Sequence, residues 1–192
     1  MSATIIVEDG GGSNPNANSY VSIADADAFF LTSISNAQWD AASADLKTRV
    51  LLTATRILEN SVEWAGFKAN LSQPLQWPRV LARDPNQYGG AYYRRPDTYL
   101  AQYFDPTKIH KDLKNAFCEF ARFILAGNNA ADDRTADAPG KGVSKFEIFE
   151  GIKVEFDKKD QRPIVPDVVS FLLSDFGQVR SSKSGNARVS RV

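Results

Sequence analysis

The chain has 192 residues, 43% of them hydrophobic and 24% charged, with 23 basic and 23 acidic side chains. That length supports one domain able to bury about 70% of its unfolded surface without staples. The balanced charge excludes a global field directed at nucleic acid or membrane, and the single cysteine, Cys118, excludes a disulfide framework and a cysteine zinc cluster.

The opening "MSATIIVEDGGG" has no basic region followed by a long apolar run, so it does not read as a signal peptide. No stretch reaches the length of a membrane span, and the chain is expected to be made in the cytosol. "TIIV" at 4–7 is β-like, and the turn formers of "EDGGGSNPNANS" predict a loop. A helix follows from Ser22, with Asp25 closing a capping box and Phe29 and Phe30 facing inward. Asp25 and Asp27 suit the positive end of the helix dipole better than a metal or acid–base site.

"SADLKTRVLLTATRILENSVEW" at 43–64 predicts an amphipathic helix, with Leu46, Val50, Ala54, Ile57 and Leu58 on its apolar stripe. In "LSQPLQWPRV", residues 71–80, Pro74 and Pro78 preclude regular structure around Trp77. Residues 80–106 predict a long connection carrying Tyr88, Tyr92, Tyr93, Tyr99, Tyr103 and Phe104 around Arg94 and Arg95. Tyrosine and arginine favour protein interfaces, and interleaved aromatic and basic residues also suit single-stranded nucleic acid. Asp84, Asp97 and Asp105 dilute the field that a phosphate-tracking groove needs, which favours the protein interface.

A second helix is predicted over 106–128, with Ile109, Leu113, Ala116, Phe117, Phe120 and Ile124 inward and Gly127 as its stop. The only histidine, His110, leaves no multi-histidine metal site within one chain, and Cys118 reads as inert core edge. After a polar linker at 129–142, "VSKFEIFEGIKVEFDKK" predicts a β-hairpin. A two-residue turn would set Ile148 opposite Lys153. A three-residue turn, Phe149-Glu150-Gly151, instead pairs Ile148 with Ile152 and Phe146 with Val154, Glu147 with Lys153 and Lys145 with Glu155. Its apolar face needs cover from the helices or from a neighbouring subunit. A last short helix is predicted within 162–177, with Pro166 in its first turn and Val168, Phe171, Leu172 and Phe176 inward. From Gly177 onward the chain carries Arg180, Lys183, Arg188 and Arg191 and no acid. This reads either as a basic tail seeking an acidic surface or as a solvated terminus.

No GxGxxG after a strand, P-loop, HExxH or GxSxG is present, and Gly10–Gly12 precede a polar loop rather than a helix. The sequence therefore predicts binding surfaces rather than an enzyme, with no cofactor and no metal.

Three stretches together resemble the phage head–tail connector (adaptor) proteins, a family also labelled DnaT-like single-stranded-DNA-binding proteins. They are "VEDGGGSNPNANSYVSIADADAFF", the "LQWPR" at 75–79 and "IHKDLKNAFCEFA" at 109–121. The connection after Arg79 is about a dozen residues longer than is usual in that family, and His110 stands where many relatives carry proline. The resemblance implies a mainly α (α+β) fold: a small helical bundle with a β-hairpin and an extended C-terminal tail. It divides the chain into an adaptor domain over 1–176, with the hairpin at 143–157 and the long loop at 80–105, and a basic tail over 177–192. It implies a homo-oligomeric ring of twelve copies in the head–tail neck of a virion, docked on a portal protein and presenting a surface to the next tail component. DNA passes through the channel without sequence-specific contact, and no membrane is involved. On this reading Arg180, Lys183, Arg188 and Arg191 bind the portal. Arg79, Tyr92, Tyr93, Arg94, Arg95 and Phe149 meet neighbouring subunits or the tail component, with Arg79 reaching a carboxylate. Trp77 is a structural wedge against the two long helices. The alternative is a single-stranded nucleic-acid-binding module in which Trp77, Tyr92 and Tyr93 stack on bases and Arg94 and Arg95 bind phosphates.

Overall fold

In the computed structural model, residues 3–34, 36–85, 103–127 and 164–180 are described, together with the strand pairing of 145–148 and 152–155. The fold is mainly α with short strands. Its helices are α1 (Ile23–Leu31), α2 (Ala37–Ala41), α3 (Ala44–Ser61), α4 (Lys111–Leu125) and α5 (Asp167–Leu172). Its strands are β1 (Val62–Trp64), β2 (Phe67–Lys68), β3 (Arg79–Val80), β4 (Lys145–Ile148), β5 (Ile152–Glu155) and β6 (Gly177–Val179), paired antiparallel as β1–β6, β2–β3 and β4–β5.

Helix α4 is the hub, packed against α1, α2, α3 and α5. Its sequence explains why: Leu113, Ala116, Phe117, Cys118, Phe120, Ala121 and Ile124 are all buried, an apolar surface too wide for one neighbour to cover. His110 is its N-cap, Nδ1 accepting from the Asp112 N–H at 3.3 Å. Gly127, at φ +80°, takes the left-handed position just past the helix end.

The capping box of α1 forms as its sequence predicts: Ser22 Oγ accepts from Asp25 N–H at 3.0 Å and Asp25 Oδ2 from Ser22 N–H at 3.3 Å. Both acids of α1 also have tertiary partners that the dipole argument did not supply. Asp25 binds Lys114 of α4 at 3.1 Å. Asp27 accepts from Trp39 Nε1 at 2.8 Å and from Lys47 Nζ at 2.9 Å, which ties α1 to α2 and α3. The Trp39 ring stacks on Phe30 at 4.4 Å, and Lys47 lies 4.9 Å over its face.

Several expectations are corrected. The first long helix stops at Ser61 rather than 64, because Val62–Trp64 pairs with Gly177–Val179, a contact from the far end of the chain that outweighs local propensity. Its buried stripe is Thr48, Val50, Leu51, Ala54, Thr55 and Leu58, while Leu46 is exposed. Val169 of α5 and the flanking Val165, Leu173 and Phe176 fill the core, whereas Val168 and Phe171, expected inward, face out. Apolar neighbours at 168–169 and at 171–173 satisfy either phase, so periodicity alone did not decide it. The chain also does not leave the domain at Gly177. Strand β6 continues through Val179, and the Arg180 N–H donates to Ser61 O at 2.7 Å. The long connection is clamped at both ends: Arg83 bridges Tyr103, and the Phe104 N–H donates to Ala82 O at 2.9 Å. The hairpin has the register of the three-residue turn, with Lys145 opposite Glu155 and Ile148 opposite Ile152.

Candidate functional site

Two prolines remove donors from the loop around Trp77, and a glutamine amide supplies substitutes. Gln73 is buried; its Nε2 donates to Leu75 O at 2.8 Å and Pro78 O at 3.0 Å, and its Oε1 accepts from the Asn70 N–H at 2.9 Å. The Trp77–Pro78 peptide is cis. So built, the loop turns Trp77 into the core, where it is 1% exposed. Its ring meets Phe176 edge-on at 5.2 Å, Phe104 edge-on at 5.6 Å and Trp64 at 6.3 Å. These aromatic partners come from the C-terminal segment, the end of the long connection and β1. Phe104, expected on an interface loop, is buried and stacks on Phe176 at 4.8 Å.

Arg79 closes the same loop from β3. Its Nη2 donates to Gly66 O at 2.6 Å, its Nη1 to Gln76 O at 3.1 Å, and its Nε to Ala65 O at 2.5 Å. Within the chain its acceptors are backbone carbonyls, which the planar fork of donors fits. Gly66 makes the approach possible. It sits at φ +68°, and a Cβ there would lie 2.3 Å from Val80 O.

A buried polar chain joins three segments. Tyr20 Oη donates to Glu59 Oε1 at 2.6 Å and accepts from the Trp77 N–H at 2.8 Å, while Glu59 Oε2 accepts from the Gln76 N–H at 2.8 Å. Burial, with the Glu59 charge beside it, holds the Tyr20 hydroxyl well above the ordinary tyrosine value. Burial also raises the Glu59 carboxyl, against the hydrogen bonds from Tyr20 and Gln76 that draw it down. Glu59 lines an open groove of about 540 Å³ between α3 and the loops at 17–18 and 74–76, with Leu52, Arg56, Asn60 and Leu75 among its walls. Both Glu59 oxygens are engaged, Oε1 by Tyr20 and Oε2 by Gln76. Among the described residues no cluster of three or more potential metal ligands occurs, and no helix is long and apolar enough to cross a membrane. Cys118 is buried, and burial pushes its thiol up to about 12.

Of the residues singled out from sequence, Trp77 and Arg79 converge in one buried knot. Arg180 is exposed, with its backbone tied beside α3. Tyr92, Tyr93, Arg94, Arg95, Phe149, Lys183, Arg188 and Arg191 lie outside the described residues. Sequence reading missed Tyr20, Glu59 and Gln73, whose partners are distant in the chain or on its backbone. It also missed a set of outward apolar side chains: Leu31, Ile34, Phe67, Leu71, Leu81 and Phe171.

A family model described as "Putative DnaT-like ssDNA binding protein" matches residues 3–192, nearly the whole chain. The chain belongs to this family. The match runs through the Trp77 loop, the α3–α4 core and the C-terminal strand alike, so membership in the DnaT-like family rests on the entire domain rather than on one motif. No curated protein and no solved structure matches the chain.

Proposed function

We propose that this DnaT-like family member is a structural head-to-tail adaptor, a ring-forming subunit that docks on a portal and carries the next tail component. The observation that carries this reading is the inversion of its surface. Trp77 and Arg79, which a base-binding loop would present, are buried and bonded within the chain. Large apolar side chains are instead exposed: Ile34 fully, Leu71 at 99% and Phe171 at 80%. Apolar side chains outside, with the Trp77 indole and the Arg79 guanidinium drawn inside, suit a subunit whose flanks are covered by other protein. The order and spacing of the three sequence stretches support the same reading. The basic segment that follows Arg180 supplies a portal-directed arm, and repetition around a ring multiplies a weak individual contact.

The test is co-sedimentation with the portal assembly of the same virion, comparing the full chain with one ending at Arg180. The full chain is expected to bind, and the shortened chain to fold but bind more weakly. No binding by the full chain sinks the adaptor reading.

A second reading, single-stranded DNA binding, is the one the family's description favours directly. It is supported by the aromatic and basic residues of "YYRR" at 92–95. It requires salt-dependent binding of an oligonucleotide that Tyr92→Ala with Arg95→Ala abolishes. No binding at low salt removes it.

A further inference from the structure

The groove between α3 and the loops at 17–18 and 74–76 holds about 540 Å³, within the roughly 300–1,000 Å³ of sites that take ligands. It follows α3 from Leu52 to Asn60, about 12 Å at the helical rise. An extended chain covers that length with about three or four residues.

Its walls divide by chemistry. Leu52, Pro74 and Leu75 are apolar. Asn60 and Gln76 are amides with capacity left over. Asn60 Nδ2 donates to Arg56 O at 2.7 Å, and Gln76 Oε1 accepts from Arg79 Nη1 at 3.2 Å. That leaves the acceptor of Asn60 and the donor of Gln76 without partners among the described residues. A peptide backbone offers an N–H and a C=O to match them.

Arg56 supplies the charge. It is exposed, and no acid among the described residues lies within ion-pair range of it. Arg49, two turns earlier on the same helix, is by contrast held by Asp45 at 3.0 Å. Glu59, the groove's one acid, has its oxygens turned to Tyr20 and Gln76. The groove thus presents one unspent guanidinium beside an apolar wall. Its composition disfavours a nucleic-acid strand. None of its walls is aromatic, so no base can stack there, and a single guanidinium does not neutralise a run of phosphates.

We propose that this groove binds an extended acidic peptide segment of a partner protein. A carboxylate of the segment pairs with Arg56, in the forked geometry that fixes register. A neighbouring apolar side chain lies against Leu52, Pro74 and Leu75, and backbone groups meet Asn60 and Gln76. So short a segment buries far less than the roughly 1,200–2,000 Å² of stable complexes, so the contact is weak when made singly. It stands apart from the adaptor reading, since it needs only a partner carrying such a segment.

The test is a titration of the isotope-labelled full chain, followed by its amide shifts in NMR spectra. The probe is a soluble peptide with a Leu-Asp-Leu-Asp run between glycine-serine flanks. The same peptide with lysine for aspartate, and oligothymidylate, are the comparisons. The acidic peptide is expected to shift amides of 52–60 and 74–76 saturably, and the lysine peptide is not. Arg56→Gln is expected to weaken binding about ten-fold, while Arg49→Gln leaves it unchanged. Both arginines are exposed, and spectra unchanged away from the groove verify that the variants fold. Equal binding of the lysine peptide, shifts centred elsewhere, or an equal loss from Arg49→Gln would each overturn the site. So would the absence of a saturable shift at about 1 mM peptide. Oligothymidylate that shifts these amides when the acidic peptide does not would overturn it in favour of nucleic acid.

Discussion

The hydroxyl of Tyr20, just ahead of α1, lies 2.6 Å from Oε1 of Glu59 near the end of α3, and the backbone N–H of Trp77 closes on it from the other side. One phenol thus holds together three segments that the sequence separates widely. Tyr20→Phe removes the donor to Glu59 and the acceptor for Trp77 N–H while keeping the ring against Phe117. Leaving buried polar groups unpaired costs about 1–3 kcal/mol. The expected result is a lower urea midpoint with an unchanged slope; an unchanged midpoint means the chain is not structural.

Glu59 gives this knot a pH dependence of definite sign. Its folded carboxyl is raised above the ordinary glutamate value by burial, so the proton is bound more tightly in the folded state. The favourable contribution is therefore fully present below the unfolded glutamate pKa, near 4.3, and is lost as pH rises through the folded value. Measured against Glu59→Gln, which cannot ionise, the native chain should lose relative stability as pH rises from the ordinary glutamate range through the raised folded value. Urea midpoints of both chains across that range check it. A relative gain with rising pH would mean that the Tyr20 and Gln76 hydrogen bonds outweigh burial.

Arg79 makes bonds that a lysine cannot copy, because its Nε, Nη1 and Nη2 reach three different carbonyls. Arg79→Lys should therefore destabilise by about 1–3 kcal/mol through carbonyls left without donors. Thermal unfolding at fixed concentration reads this directly. A melting temperature equal to the native one would show that water replaces the guanidinium at no cost.

Trp77→Ala opens a cavity among Phe104, Phe176 and Trp64 and should cost about 3–5 kcal/mol. Trp77→Phe keeps part of the edge-on packing and should cost less. A change in oligonucleotide affinity from Trp77→Phe, with stability unaltered, would return the side chain to a binding role.

Cys118 should be inert in the native state. It is 2% exposed, and burial raises its thiol to about 12. Its reaction with an aromatic disulfide reagent at pH 8 should be slow and should accelerate with urea in step with unfolding. Rapid labelling without denaturant contradicts the packing of α4.

What the sequence revealed follows from which interactions are local. The capping box at Ser22 and Asp25 lies within one turn, and the register of 145–155 follows from keeping like faces together across a short turn. Both were legible, as was the apolar width of α4. The β1–β6 and β2–β3 pairings were not, because each joins short strands whose partners lie outside any local window. On α5 the pattern itself was ambiguous: Val168 beside Val169, and Phe171 beside Leu172, satisfy opposite phases. At the candidate site, Trp77 and Arg79 stood out by type, but their surroundings did not. Tyr20 and Glu59 carry no motif, and the carbonyl cage around Arg79 consists of backbone that no side-chain pattern announces.

The contact of Phe176 with Trp77 has a bearing on biosynthesis. A ribosome delivers the tryptophan long before its lid, and β1 waits equally long for Gly177–Val179. The nascent polypeptide must therefore carry an uncovered indole and an unpaired strand until translation is nearly over. The interior is closed by the segment from Phe176 to Val179, so premature termination even a few codons upstream of Phe176 would yield a chain unable to complete it.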